Sequence, residues 1–333
     1  MRYLKIFSLF LLITVTGKAQ NIALLASNKT VSLRGLSVVT DQVLWASGSN
    51  GMVAKSTDGG KSFQWMQVSN FEKRDFRDIE AFDSNTAIIM AAAEPALILK
   101  TRNGGKSWYK VFEDSTQGMF LDAMDFHGDD GVVIGDPINQ HVFEAYTTDA
   151  GEHWKIIIPK DSVAKGEAFF AASGTNAKLL GIDNQNPAIL FVSGGTLSRF
   201  FFNEYASVLP LMQGKESAGA NSIAIHPFNK NIYVVGGDFS KDTVSQMNAC
   251  YSTDKGRTWQ QPVTPPHGYR SCVIYLSAET LLTCGTSGVD ISYDGGRNWQ
   301  LISTESFHVA QKAKKGNTVF MAGSKGKIAV LHF

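Results

Sequence analysis

The octapeptide Ser56-Thr57-Asp58-Gly59-Gly60-Lys61-Ser62-Phe63 returns along the chain in four variants. They are Thr101-Arg102-Asn103-Gly104-Gly105-Lys106-Ser107-Trp108, Thr147-Thr148-Asp149-Ala150-Gly151-Glu152-His153-Trp154, Ser252-Thr253-Asp254-Lys255-Gly256-Arg257-Thr258-Trp259 and Ser292-Tyr293-Asp294-Gly295-Gly296-Arg297-Asn298-Trp299. The shared pattern is S/T-x-D/N-x-G-x-x-W/F, and each copy lies between two β-type runs. An Asp or Asn side chain here accepts bonds from backbone N–H groups ahead of it, and the Gly supplies a positive φ, so each copy predicts a tight hairpin corner. The aromatic residue opens the next strand and buries its ring against neighbouring sheet. On this reading Asp58, Asp149, Asp254 and Asp294 are structural, because their own turns use their acceptors.

Working outward from the corners exposes a longer repeat. The first unit has strands at Leu33 to Val39, Val43 to Gly48, Met52 to Lys55 and, after its corner, Phe63 to Val68. Equivalent first strands are predicted near Phe76, Phe120, Ala168, Asn221, Tyr269 and Phe307, giving seven units of four strands. The fourth unit has Ser193-Gly194-Gly195-Thr196 in place of a corner, and the seventh runs out at Phe333 after three strands. Ile22-Ala23-Leu24-Leu25 is the unassigned β-like segment, and its pairing onto the last unit would close a ring and remove exposed edges. The predicted fold is an all-β, seven-bladed β-propeller over residues 20–333, as a single domain with an N-terminal strand completing blade seven. An open solenoid or two sandwiches are the alternatives.

With 31 basic and 30 acidic residues and a formal charge of +1, the chain lacks the basic excess that nucleic-acid binding uses. Residues 1–19 read as a secretory signal: Arg2 and Lys5 precede the apolar run Ile6 to Val15, and Gly17-Lys18-Ala19 offers small residues for cleavage. A mature chain starting near Gln20, exported to the periplasm or beyond, is expected to be a monomer with no membrane span, since no stretch is long enough for one. The only cysteines are Cys250, Cys272 and Cys284. A hairpin centred on Ala278 sets Cys272 opposite Cys284, as two buried thiols in preference to a disulfide.

Strands that alternate in direction put the corners on one face and the start of each inner strand on the other. At that second face the aligned units offer Arg34, Arg77, Arg270 and His308 at the mouth of the central channel, with Asp78 and Asp122 one step on. The loop after the second strand begins with an acid in four consecutive units: Glu94, Asp136, Asp183 and Asp238. Arginines there can hold a carboxylate or phosphate bidentately, or the charges can pair with one another as channel filler. Enzyme signals are weak. Gly104-Gly105-Lys106-Ser107 imitates a phosphate-loop ending, but Lys100 stands where its first Gly belongs. No His-Glu-x-x-His or Cys-x-x-Cys spacing is present, so neither a metal site nor a cofactor is expected.

The corner resembles the Asp-box of β-propeller proteins. Sialidases share that box, but their Arg-Ile-Pro motif finds only Leu33-Arg34-Gly35-Leu36 and Phe76-Arg77-Asp78-Ile79 here, without the proline. From about residue 30 onward the chain resembles the photosystem II stability/assembly factor family, in its non-photosynthetic bacterial branch, whose members often carry the label oxidoreductase. The resemblance rests on Gly135-Asp136-Pro137, Gly166-Glu167-Ala168-Phe169-Phe170-Ala171-Ala172-Ser173-Gly174-Thr175-Asn176, Gly219-Ala220-Asn221-Ser222-Ile223-Ala224 with Val235-Gly236-Gly237-Asp238, and Gly268-Tyr269-Arg270-Ser271. It implies a seven-bladed propeller that binds proteins or ligands, with an arginine patch to which Arg34, Arg77 and Arg270 correspond and with Glu167 at the channel mouth. Two functions are therefore expected to compete. One is a non-catalytic exported propeller binding a protein or a polar, anionic ligand. The other is a glycoside hydrolase using Glu94, Asp136, Glu167, Asp183 or Asp238, which needs two carboxyl groups about 5 to 10 Å apart across an open cleft.

Overall fold

The computed structural model describes residues 20–158 and 162–333 of the chain, so the expected signal segment lies outside the described residues. Seven antiparallel sheets follow one another around a ring. Blade one is Leu33–Val38, Leu44–Gly48, Met52–Ser56 and Gln64–Gln67, in sequence order from the channel outward. Blades two, three, four and six repeat this order from inner strands Phe76–Ala81, Leu121–His127, Ala177–Asp183 and Cys272–Tyr275. Blade seven runs Val309–Lys312, Val319–Gly323, Lys327–His332 and then Asn21–Ala26, which pairs with the third strand from Asn21 opposite His332 to Ala26 opposite Ile328. The predicted N-terminal closure is therefore the observed one.

Second strands such as Ala87–Ala91 and Val319–Gly323 are buried at every residue, as expected of continuous apolar runs covered on both faces by neighbouring blades. Outer strands such as Gln64–Gln67 are exposed or half-buried throughout. Each corner folds as its residue types require. Asp58 accepts from the Ser62 amide at 3.0 Å and the Ser62 hydroxyl at 2.6 Å, while Gly60 sits at φ 84°. The Ser62 hydroxyl, then the Ser62 amide, hold the Asp58 carboxyl down at about 2.

Adjacent inner strands are tied by a recurring staple, in which a side chain of one blade accepts an amide N–H of the next. Ser37 accepts from Ala81 at 3.0 Å, Asp78 from Met124 at 2.7 Å, Asp125 from Leu179 at 2.8 Å and Ser222 from Val273 at 2.9 Å. Cys272 Sγ accepts from the Ala310 amide at 3.4 Å. Cys272 pairs with Cys284 as the hairpin predicts, and both thiols are free and buried.

The fifth sheet departs from the expected pattern. Its strands Ala218–Ile225, Ile232–Asp238 and Ala249–Ser252 are extended toward the channel by Gly194–Gly195 and then Glu167–Ala168. Of residues 168–171, expected to form the inner strand of blade four, Ala168 ends that added strand and residues 169–171 belong to a segment that crosses the channel mouth. The inner strand of that blade is Ala177–Asp183.

Candidate functional site

In blades one, two and three the inner strand starts with a β-bulge whose extra residue is Arg34, Arg77 and Asp122 respectively, and in blade five the bulge comes three residues into the strand, at Asn221. A bulge leaves one residue without a pairing partner and re-aims its side chain. Blade seven puts His308 at this place, beside the Val309–Ala322 pair. Asp122 thus shares the position of the arginines instead of following it. Blade six puts Ser271 there, because Cys272 pairs with Cys284, and Arg270 falls one residue early.

That single-residue offset separates Arg270 from the other arginines. Its side chain is fully buried, with Nε 2.6 Å from Asp290 Oδ2, a second contact from Nη2 to the same oxygen, and Nη1 2.8 Å from both Tyr269 O and Ser287 Oγ. His267 Nδ1 lies 2.7 Å from the other Asp290 oxygen. Arg270 is a structural ion pair within blade six and does not reach the mouth. His308 is buried too, its Nε2 2.9 Å from Ser324 Oγ and 3.3 Å from Ser32 Oγ. Burial, then the charge of Arg34, push its imidazole down to about 3, so the ring is neutral at physiological pH.

Arg34 and Arg77 remain at the mouth, and the crossing segment meets them. Arg34 Nη1 donates to Ala172 O at 3.3 Å and Arg77 Nη1 to Ala171 O at 3.4 Å. Ser173 Oγ donates to Ser271 O at 2.7 Å, and Gly174, at φ 67°, packs so closely that a Cβ there would stand 2.3 Å from Asp78 Cγ. Residues 169–176 therefore span from blade four to blades one, two and six and form a plug. Burial and then the nearby Arg77 charge lower the Arg34 pKa. Arg77 is paired through Nε with Asp75 at 2.8 Å, and its guanidinium carbon lies 5.7 Å from the centroid of the Phe120 ring. Asp75 lies two residues before Arg77, just outside the strand Phe76–Ala81, so a scan of the sequence for opposite charges at i, i+2 would have found this pair.

The candidate acids separate into different environments. Asp78 is buried and spends its oxygens on the Ile79 and Met124 amides. Asp122 is fully buried with neither oxygen hydrogen-bonded, and burial, then Asp136, push its carboxyl well above the usual range. Asp136 accepts from the Phe169 amide at 2.9 Å and is likewise raised by burial. Glu167 is buried against Arg199, with contacts of 2.7 and 2.9 Å, and anchors the base of the plug. Sequence reasoning missed Arg199, which no motif marks. Asp238 caps the short 3-10 turn Phe239–Lys241 and lies 3.2 Å from Lys215 Nζ. Glu94 is exposed and accepts from the Gly118 amide at 3.0 Å. Asp183, expected beside these acids, ends the inner strand of blade four and so lies on the opposite face, with the corners.

No family model matches the chain, and no curated protein matches it. Solved structures do. "YCF48 bound to D1 peptide" aligns over 96% of this chain and 98% of that one, with a TM-score of 0.66 at 15% identity. YCF48 from Cyanidioschyzon merolae aligns over 95% and 99%, at 0.64 and 13% identity. The GH74 xyloglucanase from Xanthomonas campestris aligns over 93% of this chain and 53% of its own, at 0.58 and 14% identity. At these identities the likeness is one of fold. This chain is a seven-bladed propeller whose fold is similar to those of YCF48 and the GH74 xyloglucanase.

Proposed function

We propose that this chain is a non-catalytic propeller that binds a protein segment, through an acidic or carboxylate group, at the mouth bearing Arg34 and Arg77. One observation carries the reading. Two half-buried guanidiniums stand on adjacent blades, close enough that the charge of Arg77 lowers the Arg34 pKa, and among the described residues Asp75 is the one carboxylate in a salt bridge with either. Two cations facing a single anion leave a site that an incoming carboxylate completes, and guanidinium geometry suits a bidentate grip. The solved complex of the fold neighbour YCF48 with a peptide supports a polypeptide as the ligand class. The N-terminal segment 1–19 supports export, with cleavage near Gln20.

The glycoside-hydrolase reading draws on the xyloglucanase fold alone. It requires two carboxyl groups facing each other across an open cleft, one of them with a raised pKa. Glu167 and Asp238 are bonded to basic side chains, Asp183 lies on the other face, Asp136 is half-buried and accepts from the Phe169 amide, and Glu94 is then the one exposed candidate left on the mouth face. The arrangement favours binding over hydrolysis.

The test is a fluorescence anisotropy titration with labelled acidic peptides, each with a free or an amidated C-terminus. Arg34→Ala with Arg77→Ala should weaken binding about tenfold or more, as loss of a charged hydrogen-bonded contact does, with unchanged melting. Lys61→Ala, Lys106→Ala and Arg297→Ala, on the corner face, should leave it unchanged. Weakening by the corner set and not by the arginine pair would place the site on the wrong face.

A further inference from the structure

The strand that closes the ring begins abruptly. Its pairing starts at Asn21, opposite His332, and Gln20 lies one step outside the sheet, half-buried. The side-chain amide of Gln20 is held all the same, with Nε2 donating to Tyr293 Oη on the corner of blade six. That tyrosine takes the second place of the Ser292-Tyr293-Asp294 turn, where the other four corners carry Thr57, Arg102, Thr148 and Thr253. It is exposed at the rim, and its phenol is the group that reaches from the corner to Gln20.

The residue before Gln20 gives this arrangement its chemistry. The export reading puts signal cleavage after Ala19, and the present inference rests on it. Cleavage there makes Gln20 the amino terminus, one residue ahead of the first sheet pair. An α-amine with an ordinary pKa near 8 is partly neutral at physiological pH, and in an amino-terminal glutamine it lies within reach of the carboxamide of its own side chain.

We propose that Gln20 is a modification site, where the α-amine attacks side-chain Cδ and the residue becomes pyroglutamate. Atoms balance within the residue. A bond forms between the α-nitrogen and Cδ, the bond from Cδ to Nε2 breaks, one proton passes from the α-nitrogen to Nε2, and ammonia leaves. No oxidant, reductant or co-substrate takes part. The Tyr293 hydroxyl, which accepts from Nε2 before the reaction, donates to the lactam oxygen after it, since a phenol can play either part. The ring therefore stays docked on blade six. The block matters because proteolysis concentrates at chain ends, and this end leads directly into the closing strand, where Ile22 and Leu25 pack on the core. An aminopeptidase needs a free α-amine, and pyroglutamate offers none.

The test uses the full chain, exported from a bacterial host with its own residues 1–19 and held overnight at neutral pH. Intact mass should show a chain that starts at residue 20 and is lighter by one ammonia, with a first peptide that does not react with an amine-labelling reagent. Gln20→Ala should start at the same residue, at full mass and with a reactive amine. An aminopeptidase should shorten that variant, its melting temperature falling toward that of a chain lacking residues 21–26, and should leave the parent intact. Tyr293→Phe should still lose ammonia but exchange the Asn21 and Ile22 amides faster, and unchanged exchange overturns the docking of the ring. A parent that starts at residue 20 at full mass with a reactive amine, or that is shortened as fast as Gln20→Ala, overturns the modification and leaves the export reading standing. A chain that starts elsewhere overturns both.

Discussion

Asp122, the extra residue of its bulge, is fully buried, and neither of its oxygens is hydrogen-bonded. Burial, reinforced by Asp136, raises its folded-state pKa well above the ordinary 3.8. A raised pKa means the folded chain keeps a proton that the unfolded chain releases, so this group's contribution to stability is full below about pH 3.8 and lost as pH rises toward the folded value. Asp122→Asn removes the titration. The variant should melt about 2 °C or more above the parent at pH 7.5, and the difference should shrink toward zero near pH 4, measured by calorimetry. A constant difference across that range would mean the carboxyl is ionised in the fold. None of this was legible in the sequence, where Asp122 read as one more charged residue beside the arginines. Arg270 shows the same limit from the other side. Tyr269-Arg270-Ser271 aligns by eye with Leu33-Arg34-Gly35, but a bulge adds a residue without changing the residue types, and the one-residue offset exchanges a channel side chain for a buried ion pair.

The plug is the element that distinguishes this propeller from a plain stack of blades. Ala168-Phe169-Phe170-Ala171 has the apolar composition and the spacing of an inner strand, which explains its reading as one. What marks it is Gly174, whose positive φ and contact with Asp78 no side chain can share. Gly174→Ala should push the segment off Asp78, with a loss of about 1–3 kcal/mol and faster hydrogen exchange at residues 169–176, while the corners keep their protection. If exchange there is unchanged, the segment is not held by this contact. The corners themselves were fully legible, since the bonds of each corner's Asp or Asn side chain run between residues at most four apart, as with Asp254 and the Thr258 amide at 2.9 Å. The plug was not, because its partners Arg34, Arg77 and Ser271 lie about a hundred residues away in either direction.

At the scale of the whole molecule the ring closes through one strand. Ile22, Ala23 and Leu25 pack into the apolar cluster that joins blades six, seven and one. That closure was legible because the repeat count left one strand missing and one β-like segment spare. Removing residues 21–26 should lower stability by about 2 kcal/mol, since Ile22 and Leu25 are half-buried and full burial of each would be worth about 1.5–3 kcal/mol. It should also give concentration-dependent association in light scattering, since Lys327–His332 becomes an open edge. A truncated chain that stays monomeric with unchanged melting would show that the strand is ornamental.

Pairing Asn21 with His332 also sets an order of events in time. The contact spans nearly the full chain, and such distant pairings form slowly because the entropy of bringing remote segments together precedes any reward. The earliest-made part of the sheet must therefore wait, unpaired and carrying the sequence Asn-Ile-Ala-Leu-Leu-Ala, until residues beyond 327 exist to receive it. During that interval the nascent chain holds a sticky, unsatisfied strand at its leading end. Whatever chaperones this protein has that one segment to shield, and the duration of shielding is set by the time needed to make the other six blades.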